Sequence, residues 1–552
     1  MIPHTTLRGR CSSPPCASRP LPSRPRSRFN ALVVLGCWAA GGGASGADEA
    51  SEFFASAPIS RIDIRLAEGA ADRLREDPRG YVPCTLTVDG EVSHDPVAIK
   101  LKGSAGSFQG IDEKPGFTVN MDRFRPGARF HGLDRFHLNN AAQDPTLLQD
   151  RLGSRLFLEA GYPAARVTHA RVLLDGRDLG LYVLKEAIDR DFLARHFDDA
   201  GGNLYDSGAG VDLDELVDRD EGKQGVPGAD LQPLVAACRI EDAVERQAAI
   251  GECLDVPAFI SFMALELMTV HWDGYTTAAN NYRVYVDPGS DDRIHFLPHG
   301  MDQIFGDPAA SILDMPPTIV AGGVMRVPEW REAFRGRVRE LLPLFDAEGL
   351  LLPRIEADAR RLRPAIAELG AEALAEWEAA VADLRDRIAA RDRSLRVQAE
   401  APEPEPMQFD GGRRAVLTGW SQRIDAGEAR LEEHVGEDGC GRYSIVVTGD
   451  APCVASWRVA VPLPAGSYLF QGLAFGEGIA ALADEAGTGA GLRISGGKRG
   501  NRVDREAAWT PLAYEFTLDD PATVEFVAEL RATAGRVDFN AESLAVLRLS
   551  EP

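Results

Sequence analysis

The segment "APEPEPM" at residues 401–407 is the feature that most limits how this chain of 552 residues can fold. Proline fixes φ and removes a backbone donor, and the glutamates between the prolines disfavour burial, so the segment is a stiff, exposed linker. Strand and helix patterns alternate before it, whereas only short strand patterns follow it. The sequence therefore predicts an α+β body over 48–400 and an all-β sandwich over 408–552.

The first half of the body is predicted to be mainly paired strands. Turn dipeptides at Asp89-Gly90 and Asp175-Gly176 separate runs of alternating apolar residues, as expected for hairpins. One helix interrupts them: Asp144 is the predicted cap, Pro145 lies in the first turn and Gly161 ends it.

After Lys185 the patterns become helical. The stretch "DVPAFISFMALELMTV" is apolar on every face, which predicts a buried helix. Three further helices are predicted from Pro328 to about Arg396. We expect the body to have two lobes, and ligands commonly bind in the cleft between lobes.

The tail contains short strands separated by Gly, Pro and Asp turns, among them "GRYSIVVTG" and "ATVEFVAEL". This spacing favours a β-sandwich. It resembles the jelly-roll modules that bind carbohydrate on secreted enzymes. A carbohydrate-binding module and a purely structural sandwich are the two alternatives.

Residues 1–47 carry six arginines and no acidic residue, followed by the apolar run "FNALVVLGCWAA" and by small residues. This order predicts an export signal cleaved near Ala47. The motif "VLGC" offers the alternative of a lipid anchor at Cys37. We therefore expect a secreted, periplasmic or cell-surface protein without a transmembrane segment, because no apolar run is long enough.

The formal net charge of −24 argues against nucleic acid as a partner, because such a surface repels phosphate backbones. Five cysteines follow the predicted signal. We expect bridges between Cys238 and Cys253 and between Cys440 and Cys453 in an oxidising compartment, with Cys84 as a free buried thiol. No pair has CxxC spacing, which argues against a zinc site.

The stretch from His271 to Gly306 contains Asp273, an Asn280-Asn281 pair and Asp302 around a predicted hairpin. In an antiparallel hairpin the start of the first strand lies beside the end of the second. Asp273, Asn281 and Asp302 are therefore expected at one edge, and their oxygen atoms are ligands that Mg²⁺ accepts. The alternative interpretation is that these side chains cap turns.

Upstream, "KLKGSAGSFQGIDEKPGFTVNM" contains a loop with Gly103, Gly106 and Gly110, and Lys114 begins the next strand. Glycine lets the backbone approach a phosphate, and a lysine supplies a point charge. The chain has only six lysines, which favours a chemical role for Lys114. The acidic stretch at 206–222 is interpreted as a solvated, mobile loop rather than a calcium loop.

Together these stretches resemble the CotH kinase family of atypical secreted kinases. The resemblance spans about Ile59 to Arg396 and is carried, in order, by "IKLKGSAGSF", "EKPGFTVNMDRF", "LNNAAQDPTLLQDRL", "GLYVLKEAIDRDFL", "GNLY", "HWDGYTTAANNYRVY" and "FLPHGMDQIFG". It implies a two-lobed, protein-kinase-like fold that uses ATP and Mg²⁺ (or Mn²⁺) to phosphorylate Ser or Thr of a secreted or surface protein.

The resemblance also implies a role for each site residue. Asp273 would be the catalytic-loop aspartate. The metal ligands would be Asp302 and Asn281 (or Asn280). ATP would be held by Gly103, Gly106 and Lys114, by Asp150 as the partner of Lys114, and by Glu186 where the lobes join.

This sequence departs from the ordinary kinase pattern in two places. The spacing from Asp273 to the asparagine pair is longer, and "MDQIFG" matches the Asp-Phe-Gly element only loosely. The alternatives to an active kinase are a pseudokinase or coat-assembly protein and a glycan-binding surface protein acting through the tail. Nucleotidyl transfer on the same fold also stays open.

Overall fold

The computed structural model describes residues 46–550, except 105, 404–406, 410, 412, 437–438, 483–486, 504–507 and 519–521. Residues 1–45 of the predicted export signal, with the predicted lipid anchor at Cys37, fall outside these residues. The described residues belong to one compact unit. No helix in them is both long and apolar enough to cross a membrane.

Seven strands in the first half of the chain form a closed barrel in the order β1-β2-β3-β4-β5-β7-β6. Strand β1 closes it by pairing with β2 antiparallel and with β6 parallel. Both predicted hairpin turns are confirmed, since Val88 pairs with Glu91 and Leu174 with Arg177. The strands are β1 Ile59–Leu66, β2 Val82–Val88, β3 Glu91–Lys102, β4 Gly116–Asn120, β5 Arg135–Asn139, β6 Val167–Leu174 and β7 Arg177–Glu186.

Four of these strands present a polar face to one side of the barrel wall. Successive side chains of a strand alternate between its two faces. One cross-strand row fills the barrel core and consists of Leu101, Phe117, Leu138 and Leu184. The neighbouring row points the other way and consists of Lys100, Thr118, His137 and Lys185.

Helices dominate the chain from residue 190 to 400, and three others precede or interrupt the barrel strands. They are α1 Gly46–Ser56, α2 Ala70–Glu76, α3 Gln149–Glu159, α4 Arg190–His196, α5 Gln232–Cys238, α6 Ala243–Cys253, α7 Val256–Met268, α8 Tyr275–Ala278, α9 Ile319–Met325, α10 Pro328–Leu341, α11 Leu352–Ala367 and α12 Ala371–Glu400. Shorter turns of 3-10 and π helix occupy Pro288–Ser290, Leu342–Phe345 and Ala347–Leu351. A four-stranded sheet in the order β11-β10-β8-β9 lies among them, with β8 Asn203–Asp206, β9 Arg219–Glu221, β10 Tyr282–Asp287 and β11 Arg293–Pro298.

The predicted buried helix and the three predicted C-terminal helices are confirmed. Helix α7 begins after Asp255, whose carboxylate accepts from Ala258 N, and it buries residues around its circumference. The last three helices, α10 to α12, follow Pro328 and continue to Glu400. The chain before the linker is therefore a mixed α+β structure.

The helix predicted from Asp144 begins later than the sequence pattern indicated. Leu147 has a left-handed backbone (φ 62°), so residues 144–148 form a loop and α3 starts at Gln149. Asp144 nevertheless accepts hydrogen bonds from Thr146 N and Gln149 N, at 3.0 and 2.9 Å. Its capping role is thus retained one turn further on.

In the tail, the described residues after 407 form strands and contain no helix. The strands are β12 Arg414–Val416, β13 Ser421–Ala426, β14 Ala429–Val435, β15 Gly441–Val447, β16 Cys453–Leu463, β17 Gly466–Ala481, β18 Gly489–Ile494, β19 Trp509–Leu518, β20 Ala522–Asn540 and β21 Ala545–Ser550. They surround a hydrophobic cluster of their own, drawn from residues 417–546. The domain boundary at 401–407 and the binding of carbohydrate by the tail stay predictions.

The predicted disulfides are wrong. Cys84, as expected, is a buried free thiol, but Cys238, Cys253 and Cys453 are free thiols too, so neither predicted bridge forms. Cys238 lies on α5 with its sulfur against Gly323 of α9, where a Cβ would come within 2.9 Å of Sγ. The thiol of Cys238 is therefore packed where α5 meets α9.

Candidate active site

The polar face of the barrel wall borders a cavity of about 770 Å³. The opposite side is formed by three loops, at 206–210, 272–281 and 299–302. The cavity lining includes Lys100, Lys102, Thr118, Arg135, His137, Asn139, Asp273, Asn280, Asn281, Arg283, His299 and Asp302. Asp273, Asn281 and Asp302, which the hairpin argument expected at one edge, therefore face the same space.

Asp273 is held by the two asparagines that follow it. Its Oδ1 accepts from Asn280 Nδ2 at 2.8 Å, and its Oδ2 accepts from Asn281 Nδ2 at 2.9 Å. The hairpin brings the third loop alongside, because His299 N donates to Asn281 O at 3.0 Å. The carboxylate orientation is fixed by amides, without a cationic partner among the described residues.

The side chain of Asn281 lies directly against Gly300. A Cβ built on Gly300 would lie 2.2 Å from Asn281 Oδ1, and Gly300 has φ 53°. Only glycine meets both conditions without displacing the amide. Because Asn281 Nδ2 is engaged by Asp273, its Oδ1 is the atom left for another ligand.

The carboxylate of Asp302 forms no ion pair with another described residue. Burial, together with the nearby carboxylate of Asp150, raises the pKa of Asp302 to about 6. A divalent cation would favour the charged form, and the carboxylate of Asp302 with the amide oxygen of Asn281 are hard oxygen donors that suit Mg²⁺. The donor set thus fits the metal implied by the sequence, although no group of three or more His, Cys, Asp or Glu side chains in the described residues could hold one unaided.

Asp150 pairs with Lys185 rather than with Lys114. Lys185 Nζ lies 2.7 Å from Asp150 Oδ1, and both side chains are 1% exposed. Asp150 also accepts from Asn139 Nδ2 and from Met301 N, both at 3.3 Å, so it links the barrel wall to the loop of Asp302. The sequence signal for this pair was Lys185, a single lysine between the apolar stretch "GLYVL" and Glu186.

Lys102 is the lysine that reaches the cavity beside this pair. It lies at the end of β3 and donates to Asn139 Oδ1. Burial, together with the positive charge of Lys185, lowers its pKa to about 8. Sequence reasoning passed over Lys102 because it ends a strand instead of following the glycine loop.

Lys114 lies elsewhere. Its Nζ is 5.1 Å from the centre of the Tyr182 ring, and it is absent from the cavity lining. Burial lowers its pKa. The predicted pairing with Asp150 is therefore corrected, and the lysines near the predicted metal ligands are Lys102 and Lys185.

Glu186 also lies outside the cavity lining. It is buried and accepts from Arg166 Nη2 at 2.7 Å and from Arg195 Nη2 at 2.8 Å. The next two residues, Ala187 and Ile188, border the cavity instead. The carboxylate is thus a structural anchor of the segment that the sequence placed between the lobes.

The glycine loop is firmly held at the cavity edge. Gly103 lines the cavity at φ 111°, and its Cβ would meet the Phe108 backbone at 3.0 Å; Gly106 has φ 81° and lies against Gln143. Arg79 donates to Leu101 O and Gly103 O. Asn140 Nδ2 donates to Ser107 O at 2.9 Å.

Glu266 on α7 supports the loop of Asp273 from below. This buried carboxylate accepts from Tyr275 N at 3.1 Å, Thr276 N at 2.8 Å and Thr276 Oγ1 at 2.6 Å. His271 lies 3.4 Å from it through Nδ1 and contacts Gly300 O at 3.1 Å through Nε2. Glu266 and His271 therefore connect the loop of Asp273 to the loop of Asp302.

The acidic stretch at 206–222 is partly exposed, but ion pairs and hydrogen bonds hold it against the rest of the chain. Asp206 and Asp220 both form ion pairs with Arg283 of β10, and Asp212 accepts from Tyr275 Oη at 3.0 Å. Residues 207–210 then border the cavity. The stretch therefore builds one side of the cavity, and its acids hold that side in place.

A family model described as CotH kinase protein matches residues 99–395, more than half of the chain and nearly all of the cavity lining. The chain belongs to the CotH kinase protein family.

Curated relatives are named as invasins and as spore coat proteins. Invasin CotH2 of Rhizopus delemar is 26% identical over 258 residues, which are 43% of this chain and 42% of that protein. Inner spore coat protein H of Bacillus subtilis is 22% identical over 255 residues, 43% of this chain and 69% of that protein. The chain thus spans less than half the length of Invasin CotH2.

Among solved structures, the carbohydrate-binding module TmCBM61 in complex with β-1,4-galactotriose is 17% identical and covers 23% of this chain and 88% of its own, with a TM-score of 0.17. At that score the likeness carries no argument about this chain.

Proposed function

We propose that this CotH family member is an exported kinase with a two-lobed, kinase-like body that transfers the γ-phosphoryl group of ATP to Ser or Thr hydroxyls of proteins. The observation that carries the proposal is the oxygen-ligand pair of Asp302 and Asn281 in one cavity with Lys102 and Asp273. Phosphoryl transfer needs mainly positioning and charge neutralisation, and this arrangement offers both.

In this proposal each group has a separate task. Asp302 and Asn281 would hold Mg²⁺ or Mn²⁺, which neutralises charge on the phosphates when bound. Lys102 attracts the phosphates as a second positive group. Asp273, oriented by Asn280 and Asn281, would accept a hydrogen bond from the acceptor hydroxyl. It would take up the hydroxyl proton as the hydroxyl oxygen bonds to the γ-phosphorus and the bond between that phosphorus and the departing ADP breaks.

Two further elements would set the geometry. Lys185 keeps Asp150 ionised, and the Asp150 carboxylate accepts from Met301 N and so fixes the start of the loop of Asp302. The loop at Gly103 lets the backbone approach the phosphates, since its φ of 111° excludes a side chain there.

The test is transfer from γ-labelled ATP by the full chain to a Ser/Thr peptide library, with Mg²⁺ or Mn²⁺. We expect labelled product that requires a divalent ion and is lost in Asp302→Asn. Asp292→Asn is the matched control, because Asp292 lies exposed at the turn of the same hairpin. Absence of transfer by the parent with either ion, or equal transfer by the parent and Asp302→Asn, would contradict the proposal.

The names of the relatives support a role at a cell or spore surface, which is compatible with kinase activity and with a pseudokinase. We propose that the chain acts at such a surface. Mild protease treatment of intact cells should remove it while a cytoplasmic marker stays intact; protection equal to that of the marker would exclude this location.

A further inference from the structure

Three cations at the outer edge of the cavity have no carboxylate partner within the described part of the chain. Arg79 lies over the Phe108 ring at 5.3 Å, while Lys100 and Arg123 lie over the Tyr81 ring at 5.0 and 4.5 Å. None of the ion pairs among the described residues involves any of them. Together with Phe124, which is 42% exposed, they form what we call the rim patch (Arg79, Tyr81, Lys100, Arg123 and Phe124).

Such cations stand out in a chain with 84 acidic and 60 basic residues. Three arginines nearby are neutralised, since Arg75 pairs with Asp112, Arg129 with Asp122 and Arg135 with Glu221, whereas Arg125 adds a further exposed positive charge to the loop of Arg123. Burial lowers the pKa of Lys100, and the two carboxylates that oppose this shift, Asp220 and Asp206, are themselves paired with Arg283. The rim patch is therefore a local positive surface on an acidic protein.

The rim patch is continuous with the cavity and extends beyond it. Arg79, Tyr81 and Lys100 line the cavity that contains Asp273, whereas Arg123 and Phe124 lie outside its lining in the exposed loop between β4 and β5. A nucleotide held inside the cavity would not follow a surface onto that loop. A polypeptide that presents a hydroxyl to Asp273 can do so.

We propose that the rim patch binds acidic side chains of the acceptor polypeptide, so that the preferred substrates carry Asp or Glu near the acceptor Ser or Thr. The inference rests on the proposed function for the identity of the acceptor. Charge complementarity supplies the selectivity, and the Tyr81 ring holds Lys100 and Arg123 in place through cation–π contacts.

The test compares two fluorescent peptides that contain one serine, flanked by glutamates in the first and by glutamines in the second. Binding to the full chain is measured by fluorescence anisotropy at low and at physiological ionic strength. We expect the glutamate peptide to bind roughly three- to tenfold more tightly, since each exposed ion pair adds a modest, salt-screened gain. Arg123→Glu should abolish that preference and leave the KM for ATP unchanged.

Arg125→Glu is the matched control, because Arg125 is exposed in the same loop and does not contact Tyr81. It should keep the preference for the glutamate peptide. Equal binding of both peptides by the parent, or an equal loss in Arg123→Glu and Arg125→Glu, would overturn the rim patch proposal. Preferential binding without any phosphoryl transfer would instead support the rim patch and contradict the proposed kinase activity.

Discussion

Asp302 and Asp273 face one cavity, yet their surroundings predict different consequences of substitution. Asp302→Asn removes the negative charge that would hold the metal, and the metal in turn would neutralise the triphosphate. We expect Mg·ATP binding and transfer to fall together. Asp273→Asn should keep nucleotide binding, while transfer falls by a factor on the order of 10²–10³, the scale for one preorganised electrostatic group. Calorimetry with Mg·ATP separates the two roles. If both variants bind and turn over like the parent, Asp302 and Asp273 only cap turns.

Lys102 carries a charge that the fold tolerates poorly. Its pKa is lowered to about 8 from an ordinary value of 10.5. Below pH 8 Lys102 is charged in the folded protein, and the full cost of burying that charge lowers the free energy of unfolding. Lys102→Met should therefore raise the free energy of unfolding at pH 7 by roughly 1–3 kcal/mol, and the gain should shrink as the pH rises from 8 to 10.5.

The same substitution should weaken nucleotide binding, since a phosphate-binding charge is lost. Urea unfolding at several pH values and ATP titration measure both effects. Lys114→Met, at the lysine that contacts Tyr182, should leave ATP binding unchanged. A loss of binding in Lys114→Met equal to that in Lys102→Met would contradict the assignment.

These lysines show what the sequence was able to predict at the scale of single residues. Hairpin geometry predicted that Asp273, Asn281 and Asp302 would meet, because strand register is set by local turn and pattern. The partner of Asp150 depends instead on how α3 packs across β7, which is a tertiary arrangement. The lysine after the apolar run "GLYVL" was a weaker local signal than the proximity of Lys114 to the glycine loop, so the sequence favoured the wrong lysine.

At the scale of elements, the turn at Gly300 controls the position of Asn281. Gly300→Ala would place a Cβ 2.2 Å from Asn281 Oδ1 and would impose a left-handed backbone on alanine. We expect Mg²⁺-dependent ATP binding to weaken by about tenfold or more, with a stability cost of about 1–3 kcal/mol. Gly306→Ala is the control, because a Cβ added there would meet no atom within 4 Å and its φ is ordinary. Unchanged ATP binding in Gly300→Ala would show that Asn281 is not a ligand.

The contact between α7 and the loop of Asp273 gives a second prediction at this scale. Glu266→Gln keeps the size of the side chain but replaces one acceptor oxygen by a donor, so at least one of the bonds to Tyr275 N, Thr276 N or Thr276 Oγ1 is lost. We expect kcat to fall while the KM for ATP stays unchanged, together with a stability loss of about 1–3 kcal/mol. Steady-state kinetics and thermal unfolding measure both.

Glu252→Gln, at an exposed position of the preceding helix, should change neither quantity. A parallel rise in the KM for ATP in Glu266→Gln would show that Glu266 stabilises the whole cavity and does not specifically position Asp273.

Element boundaries were harder to predict than elements. The strand and helix patterns predicted both hairpins, the buried α7 and the three last helices, since each is encoded by local periodicity. The start of α3 was predicted one turn early because a left-handed Leu147 has no local sequence signature. The prediction of the disulfides was wrong for a similar reason. Cys238 packs against Gly323, which is 85 positions away in the sequence, and no local pattern indicates that contact.

For the whole molecule, the separate hydrophobic clusters predict that the chain folds in two pieces. One set of clusters uses residues 50–399 and the other uses 417–546. Fragments 46–400 and 407–552 should each unfold cooperatively, because few bonds join the two pieces, such as the side-chain hydrogen bond between Asp314 and Thr523. Differential scanning calorimetry tests this, and loss of a cooperative transition in both fragments would place the boundary elsewhere.

Closure of the barrel by β1 also has a consequence for self-association. A closed sheet has no row of unpaired N–H and C=O groups, so it cannot serve as a template for strands of another chain. Here closure depends on a strand near the start of the described chain, since Ile59 to Ile64 pair with His169 to Leu174. Proteolytic removal of residues up to Leu66 would leave β2 and β6 as two edge strands with unpaired N–H and C=O groups. A clipped molecule is then expected to form aggregates that the intact barrel avoids.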